Sequence, residues 1–90
     1  LGRPAEAAEA CEKAVSLNPP TAGSCWHHLG NLLTQEGLHP QAAEAFARAV
    51  LSEPDNPRHL LRLAASYTAQ GRIESAADAL RQAEALIGHT

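Results

Sequence analysis

The sequence predicts an all-α protein, a stack of about five antiparallel helices. Two observations favour helices packed closely together: 19 of the 90 residues are alanine, and aromatic residues make up only 3%. A third is the recurrence of apolar residues at i, i+3, i+4 and i+7, the spacing that places side chains on one helix face. Because a core of small side chains is stable only where backbones approach closely, this composition argues against a β-sandwich, a Rossmann domain and a disordered chain.

Two kinds of segment alternate along the chain. One begins at a glycine and continues into Ala-Ala, an acidic residue and another alanine; it starts at Gly2, Gly37 and Gly71, which are 35 and 34 positions apart. The other occupies residues 25–33 and recurs 34 positions later at 59–67. Self-similarity at this period is typical of helical repeat proteins, which stack short units side by side.

Local signals place the predicted helices in order. Proline can occupy the first turn of a helix, where an N–H is not required, and positions 4, 40 and 57 carry such prolines. The side chain of Asn56 is expected to cap the helix that Pro57 begins. Gly37 and Gly71 are expected to relieve tight turns between paired helices. The predicted helices cover residues 4–17, 23–36, 40–52, 57–70 and 74–87.

The pattern of large and small residues resembles the tetratricopeptide repeat. The residues that carry the resemblance in the first full unit are Trp26, Leu29, Gly30, Leu33, Gly37, Ala42, Phe46, Ala49 and Pro54, and in the second Leu60, Leu63, Ala64, Tyr67, Gly71, Ala76, Leu80 and Ala83. Leu33 departs from the usual tyrosine. The resemblance divides the chain into a half repeat with its linker (1–22), a first full repeat (23–56) and a second full repeat (57–90). It implies a right-handed α-α superhelix.

One face of the first helix of each full repeat is left for function. An α-helix turns by about 100° per residue, so this face lies about 130° around the helix from the face that packs on the second helix of the repeat. In similar proteins this face lines the concave groove that receives peptides. The residues expected to line that groove are Ser24, His27, Asn31, Thr34, Arg58, Leu61, Arg62, Ala65 and Thr68.

Some groove residues have alternative interpretations. Asn31 is a poor helix former, so it is either a peptide-contacting amide or an incidental surface residue. Arg58 and Arg62 suit carboxylate or phosphate recognition, or are two solvated arginines. Family members that clamp the terminal carboxylate of chaperones use lysine and asparagine where this chain has His27 and Asn31. In the alternative alignment the second full repeat supplies the last clamp helix, with Arg58 in place of the lysine and Arg62 as the arginine. His28 of the preceding repeat then stands in place of an asparagine. Neither alignment is complete, so the sequence argues against such a clamp.

Charge and motifs exclude other classes of function. The net charge is −3 and no basic stripe is present, which argues against nucleic acid as a partner. No apolar run is long enough to span a membrane. Adjacent histidines such as His27 and His28 point about 100° apart, and no metal-ligand spacing occurs. No catalytic or cofactor-binding motif is present. We therefore expect no metal, no cofactor and no intrinsic enzyme activity.

The two cysteines and the two ends of the chain carry further expectations. Cys11 and Cys25 fall in apolar helical patterns, which favours buried free thiols over a bridge between them. The first helix lacks a partner, so Ala7, Cys11 and Ala14 are expected to face a missing helix. Both ends are expected to adjoin a neighbour, either further repeats of a longer parent or a second copy joined end to end.

The sequence as a whole favours a non-catalytic module that binds a peptide or helix of a partner protein. The first alternative is the substrate-recruiting arm of a larger enzyme, for example a glycosyltransferase. The second is an assembly subunit of a bacterial envelope or secretion machine. We expect a cytoplasmic location, with the periplasm as the alternative for a piece of a secreted parent.

Overall fold

The computed structural model describes residues 3–17 and 22–88, and its secondary structure there is entirely helical. Each described helix packs against its neighbours in sequence, and three- or four-residue connections from α2 onward turn the chain back on itself. This arrangement confirms the predicted all-α helical solenoid. The helices are α1 (Arg3–Leu17), α2 (Ala22–Gln35), α3 (His39–Ser52), α4 (Pro57–Ala69) and α5 (Ile73–Ile87).

The predicted turn and cap signals act as expected. Gly37 and Gly71 have φ angles of 75° and 77°, a region that residues with a Cβ rarely adopt, and each follows a helix that it helps to end. The side chain of Asn56 accepts a hydrogen bond from the backbone N–H of Arg58 at 3.1 Å, which caps α4. The turns therefore follow from residues that were recognisable in the sequence.

The core is made of alanines around a few large side chains. Phe46 is 1% exposed, and a Cβ added at Gly30 would lie 2.5 Å from its ring. The absence of a side chain at Gly30 thus makes room for the phenyl ring between α2 and α3. At the corresponding positions, 34 residues later, the second repeat has the larger Ala64 and the smaller Leu80. The two repeats therefore carry different but matched pairs of side chains.

A disulfide joins α1 to α2, and the expectation of free thiols is wrong. Cys11 and Cys25 are bonded, with their Cα atoms 5.6 Å apart. Cys11 is buried, and Ala7 packs against the same core. Cys11 therefore faces α2, and Ala7 faces this core, rather than a missing helix. The apolar pattern alone did not reveal the bridge because a buried thiol and a buried half-cystine need the same apolar surroundings.

Several large apolar side chains remain in contact with solvent. Leu17 and Leu51 are 87% and 81% exposed, and Ile73, Leu80 and Ile87 are exposed as well. Within the part of the chain that the structure describes, each helix is too short or too polar to cross a membrane.

Candidate functional site

A polar cleft of about 360 Å³ lies between the first helices of the two full repeats. Helix α2 contributes one wall, α4 contributes the other, and the turn before α4 closes one end. We call it the polar cleft; its lining residues are Ser24, His27, His28, Asn31, Glu53, Asn56, Arg58 and His59.

A chain of hydrogen bonds runs beneath this cleft. The Nε2 atom of His59 lies 2.7 Å from Oε1 of Glu53, and the Nδ1 atoms of His59 and His27 lie 2.8 Å apart. An ionised carboxylate only accepts hydrogen bonds, so His59 Nε2–H donates to Glu53. A neutral His59 then has an unprotonated Nδ1, which accepts from His27 Nδ1–H. This assignment leaves Nε2 of His27 as an acceptor.

The surroundings hold His27 in its neutral form. Burial lowers the pKa of His27 below its ordinary value of 6.5, and electrostatic interactions with His59, Arg58 and Arg62 lower it further, while Glu53 acts in the opposite direction. His27 is 8% exposed and its ring meets Phe46 edge-on, with centroids 5.3 Å apart. A neutral imidazole is therefore part of the floor of the polar cleft.

Glu53 connects the cleft to the start of α2. Its pKa is held below the ordinary value chiefly by the hydrogen bond from His59, with a further hydrogen bond from Asn56. A Cβ at Gly23, the second residue of α2, would overlap Oε1 of Glu53. The carboxylate thus occupies the space that Gly23 leaves open, beside the positive end of the α2 dipole. Glu53 holds together the two helices that form the walls.

The structure places part of the predicted groove in this cleft. Ser24, Asn31 and Arg58 line it with exposed or half-buried side chains. His27 also lines it, but as a buried residue rather than the outward-pointing one that a helical wheel suggests. The remaining predicted residues lie outside the cleft on the exposed surfaces of α2 and α4: Thr34, Leu61, Arg62, Ala65 and Thr68.

Two of these outer residues have their hydroxyl groups engaged within their own helix. Thr34 donates to the carbonyl of Gly30 at 2.8 Å, and Thr68 donates to the carbonyl of Ala64 at 2.9 Å. The two threonines occupy the same position in successive repeats. Their hydroxyls therefore donate to backbone carbonyls of their own helix and are not free to donate to a ligand.

Four lining residues were absent from the sequence prediction: His28, Glu53, Asn56 and His59. Glu53 and Asn56 lie in the turn between α3 and α4, and the prediction considered only helical positions. His59 is six residues after Glu53, and nothing in that spacing signals a contact. A search of the turn for polar residues next to the groove helices would have found Glu53 and Asn56.

The cleft presents several kinds of hydrogen-bonding group. It offers a guanidinium, an amide, a hydroxyl and an imidazole nitrogen, groups that can hydrogen-bond to the backbone or polar side chains of a peptide. Among the residues that the structure describes, no group of three His, Cys, Asp or Glu side chains is arranged so that it could hold a metal ion.

Comparison with known proteins identifies the repeats. Residues 27–88 match a family model described as tetratricopeptide repeat, and residues 1–21 match another model of the same description. The chain is also 35% identical over 75 residues to a protein of Pseudomonas putida (strain KT2440) named "Probable biofilm formation methyltransferase WspC". That alignment covers 83% of this chain but only 18% of the relative.

The family match agrees with the helix pairs, the glycine turns and the alanine core. Proteins of this family generally act by binding other proteins. Since one model alone spans residues 27–88, well over half of the sequence, the chain belongs to the tetratricopeptide repeat family.

Proposed function

We propose that this chain is a non-catalytic module that binds a peptide or helix of a partner protein along α2 and α4. The binding surface is the polar cleft, extended by the exposed side chains of Leu61, Arg62, Ala65 and Thr68. The observation that carries the proposal is that hydrogen-bonding groups from two successive repeats converge on one cleft. Ser24 and Asn31 come from the first repeat, and Arg58 comes from the second.

The charges around the cleft favour an acidic or polar segment over a basic one. Arg58 and Arg62 are exposed one helical turn apart on α4, and Glu53 is already satisfied by His59 and Asn56. The guanidinium groups are therefore the charges available to a ligand. Arginine presents a planar set of donors that matches carboxylates and backbone carbonyls.

Hydrogen bonds among the residues at the floor of the polar cleft preorganise the binding surface. His27, His59 and Glu53 are connected by hydrogen bonds of 2.7 and 2.8 Å between three separate elements. A preorganised surface loses less conformational entropy when a ligand binds than a mobile one. The same bonds fix the distance between the α2 and α4 walls.

A peptide library displayed on phage tests the proposal directly. Peptides are selected on the wild-type chain, and their affinities are then measured by calorimetry against the Asn31→Ala/Arg62→Ala double variant. We expect the selected peptides to lose at least about tenfold in affinity, the effect of 1.4 kcal/mol. The matched control is Lys13→Ala/Gln41→Ala, which removes an exposed cation of α1 and an exposed amide of α3, both away from the cleft.

The outcomes separate the proposed surface from any other. Selected peptides that bind the cleft discriminate the double variant from the control, while circular dichroism shows both variants to be helical. Equal affinity for the wild type and the double variant would place the binding surface elsewhere and contradict the proposal.

A second candidate is a recruiting arm within a larger enzyme. It is favoured by the methyltransferase relative, of which the chain matches only 18%. In that setting the cleft holds the substrate protein while a separate domain carries out the chemistry. The coding sequence on both sides of this segment is the test: an adjoining methyltransferase domain supports the arm, and flanks that encode only further repeats contradict it.

A further inference from the structure

An apolar groove, separate from the polar cleft, lies along α4. It has a volume of about 410 Å³ and is lined by side chains of α3, α4 and α5. We call it the apolar groove; the lining residues that define its character are Val50, Leu51, Leu60, Leu63, Tyr67 and Ala79.

The first repeat contains an equivalent groove that the chain fills itself. That groove lies between α1, α2 and α3 and has a volume of only about 180 Å³. Trp26 occupies the position that Leu60 takes 34 residues later, and it is 8% exposed. The Arg48 guanidinium lies 4.9 Å from the centroid of the Trp26 ring and covers it. An indole is thus the group that this architecture accommodates at this position.

Three substitutions between the repeats open the second groove. Leu60 stands in place of Trp26, which removes the indole. Gln82 stands in place of Arg48, which removes the covering cation. On the facing helix, Ala47 stands in place of Glu12. These changes remove an indole and two charged side chains, while Tyr67 stands in place of Leu33 and adds a phenol ring.

The rim of the groove carries an exposed apolar residue as well. Leu51 is 81% exposed, and the position equivalent to it in α1 is Ser16. The second groove therefore lacks two of the charged side chains of the first and has an additional leucine at its rim, so it is more apolar at those positions. An apolar cleft with a few polar groups at its edge is the usual form of a small-ligand or side-chain site.

We propose that the apolar groove binds a tryptophan side chain presented by a partner peptide, in the place where the first repeat holds its own Trp26. Burial of an indole supplies a large apolar contact, and its ring nitrogen can reach the polar rim at Asp78 or Ser75. The site shares no lining residue with the polar cleft, so it is independent of the proposed function.

Titration with N-acetyltryptophanamide, followed by amide chemical shifts, tests the proposal. In the wild type we expect saturable shifts at Val50, Leu63 and Ala79. Leu60→Trp fills the groove from within and is expected to abolish them. Leu61→Trp adds the same side chain one position later, on the exposed face of α4, and is expected to leave them unchanged.

A second variant keeps the test decisive if Leu60→Trp fails to fold. Leu51→Ser introduces the residue found at the equivalent position of α1, at a site exposed enough to tolerate it. It is expected to weaken the binding of N-acetyltryptophanamide several-fold. N-acetylleucinamide is expected to give smaller shifts than the tryptophan probe at equal concentration.

Several results would overturn the proposal. They are the absence of saturable shifts in the wild type, persistence of the shifts in folded Leu60→Trp, and equal response to the leucine probe. The Asn31→Ala/Arg62→Ala variant is expected to bind N-acetyltryptophanamide normally. Failure of the polar cleft and failure of the apolar groove are thereby distinguished.

Discussion

Loss of the Cys11–Cys25 disulfide is expected to destabilise the protein by about 3 kcal/mol. The bridge closes a loop between residues 14 positions apart, which removes chain entropy from the unfolded state. For a loop of this length the chain-entropy model gives about 3 kcal/mol at room temperature. In a domain of this size each kcal/mol corresponds to a change in Tm of about 4–8 °C. Reduction is therefore expected to lower the Tm by roughly 12–24 °C.

The assay compares oxidised protein with protein refolded in tris(2-carboxyethyl)phosphine, using thermal unfolding followed by far-UV circular dichroism. The Cys11→Ala/Cys25→Ala variant is the control, since the reductant has no bond to break in it and its Tm is expected to stay constant. Alkylation and mass spectrometry report the thiols directly. Two alkylated thiols in the unreduced protein, or a wild-type Tm that ignores the reductant, would refute the reasoning.

Two other predictions concern the packing of Gly30 against Phe46 and the pH dependence of stability. Gly30→Ala is expected to cost about 1–3 kcal/mol in chemical denaturation, because its Cβ would lie 2.5 Å from the Phe46 ring. Combining it with Phe46→Leu, which gives the Ala–Leu pair found in the second repeat, is expected to recover part of that loss. Folding lowers the pKa values of His27 and Glu53, so the unfolded chain binds more protons than the folded chain in acid. Stability is therefore expected to decline as pH falls below 6.5, the ordinary pKa of histidine, and further below 4.5, that of Glu53.

Matched variants check both predictions. A Gly30→Ala protein as stable as the wild type would contradict the close approach of α2 to Phe46. For the pH dependence, His27→Gln is expected to flatten the upper part of the decline in unfolding free energy. Stability that rises as the solution is acidified from neutral pH would contradict the assigned direction of the pKa shifts.

The helices were predictable because their signals are local. Pro57, Asn56 and the two turn glycines each act within a few residues of their own position, so the sequence is sufficient to place them. The close packing of α2 on α3 was also predictable, since an alanine-rich repeat leaves few ways to bury Phe46. The observed helices begin and end within one residue of the predicted boundaries.

The site was only partly predictable because it depends on packing between repeats. His27 and His59 are 32 residues apart on different helices, and a helical wheel of either helix gives no sign of their contact. Their contact depends on how closely α2 approaches α4, and Glu53 of the intervening turn hydrogen-bonds to His59 there. The disulfide is a similar case, because the pairing of Cys11 with Cys25 depends on how closely α1 approaches α2.

An amide chemical-shift map of the chain saturated with a selected peptide tests the central claim most directly. Binding in the polar cleft predicts the largest shifts at Ser24, Asn31 and Arg58, with smaller changes along the exposed face of α4. Shifts confined to α3 and α5, with those three amides unchanged, would contradict the assignment of the binding surface.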